Sequence, residues 1–303
     1  MVSRGIWIYD AKSSIVIGMR VKRNSRKVKR LRKRGSRKCR NKRQRGGAAL
    51  KFGLMAIFKN ESMGIREWVE HYLWQGVDTI LLLDNNSTDD WKSKIQDYLD
   101  GGKVTVLPAP AKHAQNEHYN NIGMPWFKER KVDVLAILDL DEFMFCKDGK
   151  ILRQYVEEIF GTPTRPSRIY CKWTMFGSSG LDRQPASVRK SFIWRKKDKS
   201  EVPNIKSISW IADIKDKGAN LHQSYVTGRV EECPETIQLN HYAIQSKQYF
   251  EEVKMTRGAA DSALHENVRT WEYFKRYDFH EEEDTKLKDL VEEFERASGA
   301  SGV

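Results

Sequence analysis

Apolar residues in this chain come as short unbroken runs, separated by stretches where they recur at helical spacing. Lys51–Phe58 is one such run, closed by the polar turn Lys59-Asn60-Glu61-Ser62, and it reads as a buried strand. Ile65, Trp68, Val69, Tyr72 and Leu73 then fall on one helical face, with Gly76 as the stop. Thr79–Leu83 predicts a second strand that ends in the turn formers Asp84-Asn85-Asn86-Ser87-Thr88-Asp89. A short helix over Trp91–Leu99, a strand over Val104–Leu107 and a polar helix over Gln115–Lys131, broken at Pro125, follow. Val132–Leu138 is the fourth strand and runs into Asp139-Leu140-Asp141-Glu142-Phe143. Further on, Arg168–Phe176, Ser191–Arg195 and Ser207–Ile214 read as strands, and Gln248–Gly258 and Glu281–Ala297 as helices.

Continuous apolar strands alternating with helices are the pattern of a parallel sheet covered on both faces, so the expected class is α/β. Asn60/Glu61, Asp84–Ser87 and Asp139/Asp141 each follow a strand. That places three polar clusters on the carboxyl edge, where such sheets bind ligands.

Charge divides the chain in two. Of 303 residues with a net charge of +13, residues 1–48 carry 18 Lys/Arg and one acid, and the other 255 carry 36 bases and 40 acids. The basicity therefore belongs to an arm, and the body is mildly acidic. Between Arg20 and Arg45, 16 of 26 residues are Lys or Arg with no sustained apolar period, which reads as a disordered arm. Such an arm suits an anionic phosphate surface, lipid or nucleic acid, or an import-like signal, or is a plain flexible extension. The expected organisation is this arm (1–48), a folded domain (49–297) and a frayed tail (298–303).

The apolar pieces Ile6–Tyr9 and Ile15–Met19 are too short to span a bilayer and precede the basic run, so neither a transmembrane segment nor a signal peptide is expected. The four cysteines, at 39, 146, 171 and 233, show no C-x-x-C spacing, which speaks against a zinc knuckle. Cys146 and Cys171 lie in apolar stretches and read as buried thiols, fitting a reducing compartment. The sequons at Asn60, Asn85 and Asn86 fall on the candidate ligand edge, where glycans would obstruct it. Together these give a soluble, cytoplasmic expectation.

Asp139 and Asp141 stand two apart after an apolar strand, so in extended backbone their side chains point the same way. Paired hard carboxylates suit Mn²⁺ or Mg²⁺ shared with a substrate diphosphate. Gly177-Ser-Ser-Gly180 does not open a helix, so it is no phosphate-cradling P-loop.

Leu54-Met-Ala-Ile-Phe-Lys-Asn-Glu61, Arg66-Glu-Trp-Val, Gly76-Val-Asp, Asp84-Asn-Asn-Ser-Thr-Asp89, Leu138-Asp-Leu-Asp-Glu-Phe143, Trp173-x-x-Phe176-Gly-Ser-Ser-Gly180 and Asn240-His-Tyr242 occur in order. As a set they resemble the family 2-like and family 92-type glycosyltransferases, which include bacterial enzymes and enzymes of large algal viruses. The resemblance runs over residues 52 to 280 and implies a GT-A fold, with a single Rossmann-like mixed sheet flanked by helices. It divides the domain into a nucleotide-sugar half (49–145), an acceptor half (146–280) and a C-terminal helix (281–297).

The resemblance implies a UDP-sugar donor, with Asn60 and Glu61 near the base, Asp84 and Asn86 near the nucleoside, and Lys206 and Arg257 countering the leaving phosphate. Asp139, Asp141 and His241 would serve the metal and ribose. Trp173, Phe176, Ser178 and Ser179 would face a glycan acceptor. The chain departs from the family at His71-Tyr72, where Tyr-His is common, and at Leu181-Asp182, where His often follows the glycines. An inverting transfer needs a carboxylate to take the acceptor proton. Asp182 is the candidate base, with Asp213 and Glu142 as competitors. Xylose or galactose, placed on a glycan that contains fucose, is the sugar transfer suggested by analogy. The competing class is a nucleic-acid-binding protein that acts through the arm.

Overall fold

The computed structural model describes residues 49–198, 204–257 and 269–299. The expectations for the arm, for Gly258 and for residues 300–303 lie outside them. Eleven strands are found among the described residues: β1 (Phe52–Phe58), β2 (Thr79–Asp84), β3 (Val104–Pro108), β4 (Val134–Ile137), β5 (Glu142–Cys146), β6 (Arg168–Met175), β7 (Trp194–Arg195), β8 (Ile205–Trp210), β9 (Val230–Glu232), β10 (Ile237–His241) and β11 (Glu282–Glu283). Nine form one sheet in the order β3-β2-β1-β4-β8-β6-β10-β5, with β9 beside β6, and β7 and β11 form a small ribbon.

Strand alternation sorts side chains onto the two faces. From β1, Leu54, Ala56 and Phe58 enter one core with Ile65, Trp68, Val69 and Tyr72 of helix α1 (Ile65–Trp74), with Leu152 and Val156 of α2 (Leu152–Phe160), and with Leu287 and Val291 of α3 (Lys286–Ser298). Met55 and Ile57, of opposite parity, enter a second core with Tyr119, Trp126, Phe127, Ile211 and Ile214. Both faces are covered, as the unbroken apolar runs require.

The sheet is mixed, as the family resemblance implies and as the strand pattern alone, which reads as parallel, does not. β1 pairs in parallel with β2 and β4, while β8 runs antiparallel between β4 and β6, and β5 runs antiparallel to β10. The sheet also curls. Ile137 and Glu142 are joined by five Cα–Cα links, a reach of about 18 Å at most. Yet β5 lies four strand positions from β4 in the ladder, about 19 Å in a flat sheet. Curling brings the far edge of the sheet back over the β4–β5 turn.

Several predicted elements shift for local reasons. The 115–131 segment is interrupted by a π-helical turn at Tyr119–Gly123 ahead of Pro125, and Pro125 sits in the first turn of the next helix, where its missing N–H is harmless. Gln248–Gly258 opens as a short helix at Lys247–Tyr249 and continues as a π-helical turn, Phe250–Lys254. The predicted 191–195 strand is a helical turn at Val188–Ser191 followed by only two strand residues. Cys171 pairs with Cys233 in a disulfide, with Cα atoms 5.4 Å apart, which corrects the reading of Cys171 as a thiol and removes that support for a reducing compartment. Cys146 is a buried free thiol. No helix among the described residues is long and apolar enough to cross a membrane.

Candidate active site

Parallel strands β1, β2, β3, β4, β6 and β10 end on one edge, and the antiparallel strands β5 and β8 begin there. That edge gathers Glu61, Asp84, Asp139, Asp141, Glu142, Lys206 and His241 from segments far apart in sequence.

Asp139 and Asp141 lie in the turn between β4 and β5 rather than on an extended strand, so they meet different partners. Asp139 Oδ2 accepts from Lys206 Nζ at 2.7 Å. Lys206 is fully buried at the start of β8, and the same ammonium lies 3.5 Å from Glu142 Oε2. Burial disfavours the Lys206 charge, but Asp139 and Glu142 outweigh it and its pKa is raised. Burial likewise raises the Glu142 pKa well above the usual carboxylate range, against the pull of Lys206.

Asp141 Oδ2 accepts from Lys254 Nζ at 2.5 Å, and Asp141 Oδ1 lies 3.5 Å from His241 Nε2. Burial alone would raise the Asp141 pKa, but Lys254 and His241 hold it well below the usual range. Oδ1 is buried and receives no hydrogen bond. A bare, buried carboxylate oxygen beside an imidazole nitrogen fits a divalent cation that draws its other ligands from a diphosphate and water. No group of three or more His, Cys, Asp or Glu side chains suited to a metal forms among the described residues.

The turn is fixed from behind by three residues of α1. Trp68 Nε1 donates to Asp139 O (2.9 Å) and Glu142 O (3.1 Å). Tyr72 Oη donates to Glu142 O and accepts from Met144 N, both at 2.9 Å. His71 Nε2 donates to Met144 O at 2.8 Å. β5 is an edge strand, and these side chains satisfy the backbone groups that face away from β10. Their spacing on one helical face was the available sequence signal, but it reads equally as ordinary core packing.

The other candidate residues fall into three settings. Asn60 and Asn86 both adopt left-handed backbone, which Asn tolerates. Asn60 Oδ1 accepts from Thr88 N (2.7 Å), Asp84 Oδ1 from Ser87 N (2.9 Å), and Asn86 Nδ2 donates to Pro110 O (2.9 Å), so they knit the loops after β1, β2 and β3. Glu61 is buried, ion-paired to Arg257 and bonded by Tyr249 Oη at 2.8 Å, and Arg257 also donates to Lys59 O. Glu61 and Arg257 thus meet each other.

In the acceptor half, the Trp173 ring centroid lies 4.1 Å from that of His241, and Trp173 Nε1 is buried with no partner. Phe176 is fully buried against Tyr242. Ser178 Oγ accepts from Gly180 N (3.1 Å) and Ser179 Oγ from Ile193 N (2.9 Å), so both shape the turn. Asp182 is exposed and pairs with Lys247 at 2.7 Å, which lowers its pKa, and no described hydrogen bond or ion pair joins it to the carboxylate cluster. Asp213 is held by Arg165 and Ser167, each at 2.6 Å.

A mixed α/β sheet that gathers carboxylates, Lys206, Arg257 and a histidine at its carboxyl edge places them where sheets of this class bind ligands. The sequence profile of glycosyltransferase family 92 matches residues 54–209, half of the chain, and the chain belongs to that family. A glycosyltransferase family 92 protein of Ricinus communis is 24% identical over 146 residues, which cover 44% of this chain and 24% of the relative. The chain thus spans about a quarter of the curated relative it matches. Among solved structures, TarS of S. aureus in complex with UDP-GlcNAc is similar at a TM-score of 0.44 and 14% identity, over 83% of this chain and 74% of that one. GalNAc-T7 with UDP, GalNAc and Mn²⁺ is similar at 0.36 and 12%, over 84% and 58%.

Proposed function

We propose that the chain is a divalent-cation-dependent, inverting glycosyltransferase that moves a sugar from a UDP-sugar to a hydroxyl of a glycan. The observation that carries this reading is the bare Asp141 Oδ1 beside His241 Nε2 on the ligand edge. Family membership supplies the reaction class. In the transfer, the acceptor oxygen attacks the anomeric carbon, the bond to the β-phosphate oxygen breaks with its electron pair leaving on UDP, and the hydroxyl proton passes to a carboxylate. A bound Mn²⁺ or Mg²⁺ would supply positive charge for the diphosphate.

Asp141 and His241 are the residues that would hold that cation, with Asp139 beside them toward the ribose. Lys206 and Arg257, paired with Asp139 and Glu61, serve as counterions that hold those acids in place. Trp173, next to His241, forms the wall on the acceptor side. Asp182 remains the proposed base and would have to leave Lys247 to act. Xylose and galactose are the first donors to try. The division at residue 145 into donor and acceptor halves belongs to the same proposal.

The test measures UDP release from a panel of UDP-sugars with Mn²⁺. Asp141→Ala should lower turnover by about 10²–10³-fold, the scale for losing a group that stabilises developing charge. Wild-type protein that releases no UDP from any donor would sink the reading.

We further propose that the basic run within residues 20–45 attaches the chain to anionic phosphate surfaces. Binding to anionic vesicles or to duplex DNA should fall steeply with salt and be lost on deleting residues 1–48. Salt-insensitive binding would count against it.

A further inference from the structure

Three acids of the site each face a base: Glu61 faces Arg257, Asp139 faces Lys206 and Asp141 faces Lys254. The three bases are not held alike. Arg257 is anchored by Glu61 and by the Lys59 carbonyl, and Lys206 by Asp139 and, at 3.5 Å, Glu142. Lys254 has one anionic partner among the described residues, a single oxygen of Asp141. It sits at the end of the π-helical turn Phe250–Lys254, a local irregularity that recurs at functional sites. Its side chain retains 13% exposure, whereas that of Lys206 has none. An ammonium on a four-carbon stem, held by one carboxylate oxygen and lying 5.7 Å from the centre of the Tyr249 ring, is able to change partners.

Its partner is the carboxylate whose other oxygen is bare and faces His241. We propose that Lys254 is an exchangeable cation. It neutralises Asp141 while the donor site is empty, releases that carboxylate when a divalent cation binds Asp141 and His241, and then binds the donor's diphosphate. The inference rests on the function proposed above and adds a residue that the sequence motifs did not mark. Two cations on one buried carboxylate repel each other, and a diphosphate arriving with the metal offers the displaced ammonium a new anion.

The experiment measures Mn²⁺ alone, by the loss of the free aqueous Mn²⁺ resonance, and UDP in the presence of Mn²⁺, by calorimetry. Lys254→Met should bind Mn²⁺ roughly tenfold more tightly than wild type, because its competitor is gone, and UDP roughly tenfold more weakly, the cost of one charged hydrogen bond. Lys254→Arg, which offers a two-pronged hold on Asp141, should bind Mn²⁺ more weakly than wild type. It also carries the test if the methionine variant does not fold. Unchanged Mn²⁺ affinity in the variants, or undiminished UDP affinity in Lys254→Met, overturns the role of Lys254 while leaving the donor site standing. A wild type that binds neither Mn²⁺ nor UDP overturns both readings.

Discussion

Replacing Tyr72 by Phe removes one oxygen from the clamp behind the β4–β5 turn and leaves the ring in place. Tyr72 is fully buried, and its hydroxyl serves two backbone groups, Glu142 O and Met144 N. Glu142 O keeps a second donor, Trp68 Nε1 at 3.1 Å, so its loss is small. The Met144 N–H faces away from β10 and loses its partner in a dry setting, which costs about 1–3 kcal/mol. Tyr72→Phe should therefore destabilise the fold by about 2 kcal/mol. With a urea m-value of about 3 kcal/mol/M, the unfolding midpoint should drop by about 0.7 M, followed by tryptophan fluorescence. Trp68→Phe alone also leaves Glu142 O with one donor. The double variant strips both, so it should exceed the sum of the single losses by about 1 kcal/mol. A Tyr72→Phe midpoint within error of wild type, or strictly additive losses, would refute the idea that α1 supplies the hydrogen bonds of the edge strand.

Two further outcomes follow from buried groups. Burial, with help from the charge of Arg189, holds the His71 pKa well below its ordinary value of about 6.5 against the opposing bond to Met144 O, so the folded ring is neutral. The unfolded chain binds the extra proton, and stability falls as pH drops below about 6.5, by up to about 1.4 kcal/mol per pH unit. His71→Gln should remove that part of the pH dependence, and parallel urea titrations at pH 7 and 5.5 for both proteins would expose an unchanged slope if the assignment is wrong. The Cys171–Cys233 bridge spans 62 residues, so reduction or a Cys171→Ser/Cys233→Ser pair should cost about 2–4 kcal/mol. Thermal melts with and without reductant read this directly, and a melting point indifferent to reductant would argue against the bridge.

The first half of the domain was legible because β1, β2 and β4 are buried on both faces and, with the edge strand β3, are bounded by polar turns. β1, β2, β3 and β4 fall within two residues of their predicted bounds. Glu142–Cys146 was not seen as a strand because its apolar run directly follows Asp139–Asp141 and has no turn former of its own before it. The acids of the site were visible, since carboxylates after apolar strands are conspicuous. Of their partners, Lys206, Arg257 and His241 entered through the family resemblance in other roles, and Lys254 was not marked. Lys254 lies in a charged helical stretch, Glu251-Glu252-Val253-Lys254, where local pattern reads it as a solvent-facing base. The pairing of β10 with β5, with Tyr242 N donating to Asp141 O at 2.8 Å, sets the segment that carries it beside Asp141. Ser178 and Ser179 illustrate the opposite case: side chains that invite a ligand role in a motif are used here by neighbouring backbone N–H groups.

The ion pairs of the site also divide by position along the chain. Its acids, Glu61, Asp139, Asp141 and Glu142, all precede residue 143, and its bases, Lys206, Lys254 and Arg257, all follow residue 205. During synthesis the acids emerge first, and their counterions arrive more than a hundred residues behind Asp139 for Lys254 and Arg257. A chain that ends near residue 145 would have to place Glu61, Asp141 and Glu142 in buried positions with none of these cations, a cost above a single packing loss. The amino-terminal portion therefore cannot settle into its final form alone, although its strands look self-sufficient. The carboxyl-terminal portion supplies the opposing charge, and its Leu239, Leu287 and Val291 complete the same core.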